Sequence, residues 1–196
     1  MLIENLNKIM LIYLNKLWNN PIIEKCVWVF ADAPIFFIPI FLIVTWLILT
    51  YKNKNEKKNE LLLILYSTIL WIMIAVIIQH IFHFDRPENY INSTWKLLLK
   101  HIPDASFPSD HATVSFAFLT SLYYSNYKKT SYIFLPFALI MVVSRVIAWV
   151  HWPLDIIIWI IIWITSSYII FKHLKKLKFI KKLNQSIIKI AWYIKL

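Results

Sequence analysis

Leu61 to Phe82 reads LLLILYSTILWIMIAVIIQHIF, 22 residues with no Asp, Glu, Lys or Arg. A bilayer core about 30 Å thick is crossed by about 20 apolar residues in a helix, so this run is long enough to span one. In lipid every backbone N–H and C=O must be satisfied within the protein, which restricts spanning segments to helices and closed barrels. The run predicts a transmembrane helix over 61–82 and with it an all-α fold.

On one side lies a polar loop, KNKNEKKNE at 52–60, preceded by a second apolar stretch from Ala33 to Tyr51 that starts as early as Val27. On the other side a polar segment, 83–110, ends in Asp104–His111, DASFPSDH. Three further apolar stretches follow, at 111–125, 131–150 and 154–171, separated by Lys128–Lys129 and by the short His151–Pro153 connection. Residues 2–18 place apolar side chains at helical spacing beside Lys8 and Lys16, as an interfacial amphipathic helix does. The tail from Lys172 carries eight lysines and reads as a basic helix lying on the membrane. No repeat or second domain is visible. The expectation is one integral-membrane domain, 1–196, a polytopic bundle of about five or six spans, with an interfacial helix at 1–20 and a basic tail helix at 172–196.

Composition agrees. Of 196 residues, 60% are hydrophobic and 16% charged, and the mean hydropathy is +0.62, against about 45–50% apolar and about 25% charged in soluble domains. The net charge of +11 sits in loops and tail, where it speaks for topology and anionic headgroups and against nucleic acid. Cys26 is the sole cysteine, which excludes a disulfide framework and a cysteine metal site. The N-terminus has Glu4 and no small-residue cleavage site, so it is not read as a removable signal peptide. Glycine is absent, and lysine outnumbers arginine 19 to 2, leaving only Arg86 and Arg145.

Lysine asymmetry sets the expected orientation. Four lysines in 52–60, two in 126–130 and eight in the tail make those regions and the C-terminus cytoplasmic, whereas 83–110 has three basic against four acidic residues. Arg86, Ser109, His111, Arg145, His151 and Asp155 then meet at the outer face of a plasma membrane.

Those residues carry chemistry. His151 and Asp155 are four apart at a helix start and can share a face. A carboxylate bonded to one ring nitrogen would set the tautomer of an imidazole nucleophile, and a capping Asp beside an interfacial His is the structural alternative. Arg145 falls in the last turns of an apolar stretch, at an insertion cost of at least about 2.5 kcal/mol. Snorkelling would serve a lysine equally, and this chain prefers lysine. A planar guanidinium is needed where two oxygens of one phosphate are gripped together, and Arg86 invites the same reading. Phe107-Pro108-Ser109-Asp110-His111 stands where a loop enters a helix, so N–H groups and the Ser109 hydroxyl can meet an anion while His111 protonates a leaving oxygen. An ordinary N-cap at Ser109 or Asp110 is the simpler alternative.

Together the three blocks resemble the signature of the type 2 phosphatidic acid phosphatase superfamily: Lys-x6-Arg-Pro, Pro-Ser-x-His and Ser-Arg-x5-His-x3-Asp. Here they stand as Gln79-x6-Arg86-Pro87, Pro108-Ser109-Asp110-His111 and Ser144-Arg145-x5-His151-x3-Asp155. Asp104–His111 and Asn19–Pro34, with Ala31-Asp32-Ala33-Pro34, make the chain similar to bacitracin-resistance-type undecaprenyl-diphosphatases. The resemblance implies His151 as nucleophile forming a phosphohistidine, Asp155 orienting it and His111 as the acid. Arg86, Arg145 and Ser109 would hold the phosphoryl group, with Gln79 in the place of the first-block lysine. It implies no metal and no cofactor. The substrate would be undecaprenyl diphosphate, a polyprenyl diphosphate lipid, cleaved to the monophosphate for carrier recycling in cell-wall synthesis. A phosphatidylglycerophosphate, phosphatidate or lipid A phosphatase would use the same blocks, and a non-catalytic phospholipid-binding protein is a third possibility. The family's third block usually has glycine two or three residues before the histidine, where this chain has Ala148 and Trp149. Trp149 and Trp152 read as interface tryptophans, His173 as a solvated residue. Asp32 reads equally as a helix cap and as a buried functional carboxylate.

Overall fold

A computed structural model describes residues 2–82, 84–87 and 106–194, apart from the side chains of 2–4, 34, 35, 155 and 165. Every regular element among them is helical: α1 (Leu2–Asn15), a 3-10 turn (Lys16–Asn19), α2 (Pro21–Phe30), α3 (Ala33–Tyr51), α4 (Asn55–Ile81), α5 (Asp110–Tyr124), α6 (Lys128–Ile147), α7 (Pro153–Lys176) and α8 (Lys178–Tyr193). The expected all-α bundle is therefore observed. Three helices are long and apolar enough to cross a membrane, Asn55–Ile81, Lys128–Ile147 and Ile156–Lys176, while the apolar part of α3, Phe36–Tyr51, is shorter. Ile43, Ile133 and Ile161 are each about 60% exposed. Aliphatic side chains so exposed on such helices suit a hydrocarbon surround, and the chain is a membrane protein.

The short helix α5 is the axis, packed by α4, α6 and α7. Its sequence is the least apolar of the five stretches because its neighbours, not lipid, surround it. Ala112, Ala117 and Leu122 are fully buried, and Ser121 donates to Ser67 of α4 at 3.0 Å. An aromatic series runs into this core. Phe84 meets Phe107 at 5.1 Å, Phe107 meets Trp159 at 4.4 Å, Trp159 stacks on Trp163, and Trp163 is edge-on to Trp71 at 4.2 Å. Such pairs contribute about 0.5–1.5 kcal/mol each beyond area burial.

Three boundaries differ from the sequence expectation. The polar loop before α4 is shorter, since Asn55 to Glu60 form the helix's first turns, with Glu56 placed to favour the N-terminal dipole. Helix α7 runs on to Lys176, with Lys175 and Lys176 complementing its C-terminus. Helix α6 ends at Ile147, earlier than 150, for a reason that shapes the site. Residues 2–18 also pack into the bundle. Leu11 and Asn15 are buried, the Asn15 amide donates to the Ile147 carbonyl at 2.7 Å, and Asn7 Oδ1 accepts from Leu154 N–H at 3.0 Å, capping α7. The first helix thus clamps the α6–α7 connection.

Candidate functional site

Helix α6 stops because Trp149 adopts φ 67°, the left-handed region. Val150 N–H reaches back to Arg145 O at 3.1 Å and Trp149 N–H to Val146 O at 3.0 Å, the paired bonds of a Schellman ending. Glycine is the usual residue there, and a side chain costs about 1–2 kcal/mol. Burial of the indole, only 4% exposed, offsets that cost. Of Ala148 and Trp149, the two positions where the resemblance leads one to expect glycine, it is Trp149 that takes the left-handed conformation. The left-handed turn throws the chain back so that Val150 and His151 enter the protein interior.

His151 is fully enclosed, and its Nδ1 lies 2.8 Å from the Ser106 carbonyl. A carbonyl only accepts, so Nδ1 carries the hydrogen and Nε2 is left with its lone pair. That Nε2 is buried with no hydrogen-bond partner among the described residues. Burial, then the charges of Arg145 and Arg86, hold the imidazole well below its usual 6.5, partly opposed by the bond to Ser106. His151 is thus a neutral base with an available lone pair beside two fixed cations. Asp155 falls in the first turn of α7, and its side chain lies outside the described set; the Ser106 carbonyl meanwhile fixes the tautomer.

Arg86 and Arg145 are both buried. Arg86 donates to Val150 O at 3.1 Å, which ties the segment after α4 to the His151 turn. Nearby, Trp152 Nε1 donates to Asp85 O at 3.1 Å, and Ser106 N–H to Phe84 O at 2.8 Å. Arg145 lies 2.8 Å from Asp32 Oδ1, and the same oxygen lies 3.0 Å from His111 Nε2. The structure gathers Arg86, His111, Arg145 and His151 at one end of the bundle.

Ser109 is the N-cap of α5 and accepts from Ala112 N–H, so the capping alternative is real; its hydroxyl hydrogen is left to donate. Asp110 begins the helix without being its cap. Gln79 donates at 2.8 Å to Pro108 O and, with the same nitrogen, to Asp110 Oδ1 at 2.8 Å. Its amide hydrogens are spent on the loop leading into α5, so it braces the Ser109–His111 turn where the family's lysine would offer a charge. Asp104 and Ala105, the start of the DASFPSDH string, lie outside the described residues.

Sequence reasoning did not single out the Ser106 carbonyl, the left-handed Trp149 or the contacts of Asp32. A backbone carbonyl leaves no residue-type signal. Asp32 left one, since it is the single acid in the apolar run from Val27 to Tyr51. It stands at the N-cap position of α3 but makes no capping bond. His111, and next to it Arg145, hold its carboxyl below the usual 3.8 against an opposing contribution from burial.

An apolar groove of about 850 Å³ runs from Asp110 and His111 between α3 and α4, past Leu42, Leu65 and Trp46, to Ile187 of α8. It gives an elongated apolar ligand a path from the cluster along the bundle. Among the described residues no three His, Cys, Asp or Glu side chains are placed to hold a metal ion.

Residues 60–178 match the family model described as the PAP2 superfamily. The chain is 28% identical over 166 residues to the bacitracin transport permease protein BcrC of Bacillus licheniformis, covering 84% of this chain and 76% of that one. It is 25% identical over 156 residues to the undecaprenyl-diphosphatase BcrC of Bacillus subtilis, covering 79% and 76%. With an undecaprenyl-diphosphatase of Sulfolobus acidocaldarius it shares 29% identity over 132 residues, 67% and 61% of the two chains. No solved structure matches the chain.

Proposed function

The chain belongs to the PAP2 superfamily and is a membrane phosphatase, and we propose that it hydrolyses undecaprenyl diphosphate to undecaprenyl phosphate and inorganic phosphate through a phosphohistidine. The observation that carries this reading is His151, whose Nδ1 is tied to Ser106 O at 2.8 Å while its buried Nε2 has no partner. A neutral imidazole with a bare lone pair between two buried arginines is arranged to attack phosphorus.

In the proposed reaction Nε2 of His151 forms a bond to the terminal phosphorus as the P–O bond to the lipid monophosphate breaks. The electron pair leaves on that oxygen, which takes the proton of His111. Arg86 and Arg145 hold the equatorial oxygens as charge redistributes, and the Ser109 hydroxyl and the first N–H groups of α5 add fixed donors. The positive charge gained by the phosphorylated imidazole is shared through Nδ1–H with the Ser106 carbonyl, and Asp155 is proposed to assist from the first turn of α7. Water deprotonated by His111 then attacks the phosphohistidine, releasing phosphate and restoring neutral His151. Gln79 is retained in the site as the brace of its phosphate-binding loop.

The isoprenoid tail is assigned to the apolar groove that opens at His111. Two curated relatives are named for undecaprenyl diphosphate hydrolysis, which supports that substrate over a glycerolipid phosphate or lipid A. By lysine asymmetry the site faces the outside of a bacterial plasma membrane and the C-terminus the cytoplasm. There the reaction would recycle the cell-wall carrier lipid, and a surplus of the enzyme would confer bacitracin resistance. The test is phosphate release from undecaprenyl diphosphate by detergent-purified protein in excess EDTA, with phosphatidate and phosphatidylglycerophosphate alongside. Chelator-resistant release from the isoprenoid diphosphate is expected. Preference for a glycerolipid would overturn the substrate, and no release by folded protein would overturn the activity.

A further inference from the structure

We propose that Asp32 is a placeholder for substrate: its carboxylate occupies the ground of a phosphate oxygen in the empty site and is exchanged for the incoming phosphate at each turnover. This rests on the reading of the site as a phosphate site and goes beyond it, since Asp32 lies outside the matched residues 60–178.

The contacts carry the inference. One oxygen, Asp32 Oδ1, lies 2.8 Å from the Arg145 guanidinium and 3.0 Å from His111 Nε2. Those are the cation assigned to grip the phosphoryl group and the ring nitrogen assigned to protonate the leaving oxygen. His111 Nε2 has one hydrogen to give, so Asp32 and a substrate oxygen cannot both take it, and Arg145 can turn its whole fork to phosphate only once Asp32 has left Nη1. Arg145 is buried, whereas the Asp32 side chain is 46% exposed. The anchor is therefore fixed, and the carboxylate is free to rotate into solvent.

The position of Asp32 is not explained by local structure. It precedes Ala33, the first residue of α3, yet gives α3 no capping bond. Its neighbours set its place instead: Val27 and Ala31 pack against Ile147, Ala148 and Val150, the turn that delivers His151. A carboxylate held against that turn places a negative charge beside the buried Arg145. It also gives the product a competitor, because inorganic phosphate leaves a site whose cation has a second anion waiting.

The consequence is a split between anion affinity and chemistry. A ligand that binds only when Asp32 is displaced has its affinity reduced by the fraction of time the site is open. Removing the charge should tighten binding of inorganic phosphate. If Asp32 is seated nine-tenths of the time, the gain is about tenfold. A carboxylate that merely orients His111 or supports the fold would have the opposite signature, with kcat lost and phosphate binding unchanged or weaker.

The experiment is inhibition of the purified full-length protein by inorganic phosphate, comparing wild type, Asp32→Asn and Asp32→Glu. The inhibition constant and KM should both fall by about tenfold in Asp32→Asn. Asp32→Glu, which keeps a competing carboxylate, should lie closer to wild type. An unchanged or raised inhibition constant in Asp32→Asn, with wild type inhibited normally, overturns the placeholder and leaves the phosphatase reading intact. No phosphate binding and no hydrolysis by folded wild type overturns both. Hydrogen–deuterium exchange on the wild type gives a reading that needs no variant to fold. Saturating phosphate should slow exchange in 106–113 and speed it in 28–36, where Asp32 has been released. Slowed exchange in both segments overturns the proposal.

Discussion

The two ends of the helix bundle each bury a polar cluster, but they are finished differently. At the lysine-rich end Glu60 has both oxygens occupied, one by Lys175 Nζ at 3.0 Å and the other by Asn126 N–H. Around it Tyr127 donates to Lys57 O, and burial, with the Glu60 charge added, pushes its phenol up to about 12. Asn184 of α8 donates to Asn59. At the opposite end two buried arginines and two histidines are gathered, Asp32 Oδ1 stands 2.8 Å from Arg145 and 3.0 Å from His111, and the buried His151 Nε2 has no partner among the described residues. Buried polar groups are normally satisfied. The first cluster pairs its carboxylate and ties α4, α7 and α8 together; the second holds fixed cations beside an unpartnered imidazole nitrogen and is arranged to receive an anion.

The comparison predicts opposite mutational signatures. The largest effect belongs to His151→Asn, whose amide can still donate to Ser106 O but has no lone pair for phosphorus. Turnover should fall by at least about 10³-fold, as when a nucleophile is removed, with the melting temperature close to wild type. Normal turnover in this variant would end the nucleophile assignment. Next is Arg145→Lys, which keeps the charge and loses the planar fork. A loss of about 10²-fold in kcat/KM is expected, the scale of one transition-state donor. Wild-type kinetics would mean that Arg145 only snorkels.

At the other end the sign reverses. Glu60→Ala leaves Asn126 N–H and Lys175 without their acceptor and should lower stability by about 1–3 kcal/mol, discounted toward the lower figure because Lys175 is half exposed. The folded fraction should turn over at the wild-type rate. Lost kcat at full stability would erase the distinction between the two ends.

How far the sequence announced this arrangement depends on which atoms did the work. The all-α class and the five apolar stretches were legible because lipid leaves the backbone few options and hydropathy records the choice. Arg145 was legible because a charge in the last turns of an apolar stretch is costly, Arg86 because this chain otherwise prefers lysine, and His111 and His151 through their spacing in the motif blocks. What stayed hidden is carried by backbone or by rotamer. Ser106 acts through its carbonyl, Trp149 through a positive φ that glycine would have advertised, and Asp32 by turning away from the helix it precedes. Gln79 was placed by its motif position among phosphate ligands; its side chain is committed to Pro108 and Asp110.

The smallest expected effect concerns pH and isolates the unsatisfied end. The folded-state value of His151 lies well below 6.5, so the unfolded chain binds its proton first as pH falls. Stability should therefore be complete above about 6.5 and decline below it, with a slope approaching 1.4 kcal/mol per pH unit from this group. Asp32 is shifted down from 3.8, so its contribution is present above that value and is lost only in stronger acid, outside this window. Between pH 6.5 and 5 the two groups are thus separable. Other histidines contribute to both proteins alike, so the relevant quantity is the difference between wild type and His151→Asn. Thermal unfolding of the two in the same detergent should nearly coincide at neutral pH and separate toward pH 5, where the wild type falls below His151→Asn because its buried imidazole resists the proton that the unfolded chain takes up. Parallel curves across the window would mean that the His151 ring is protonated in the folded protein. The lone pair on which the difference between the two ends depends would then be gone.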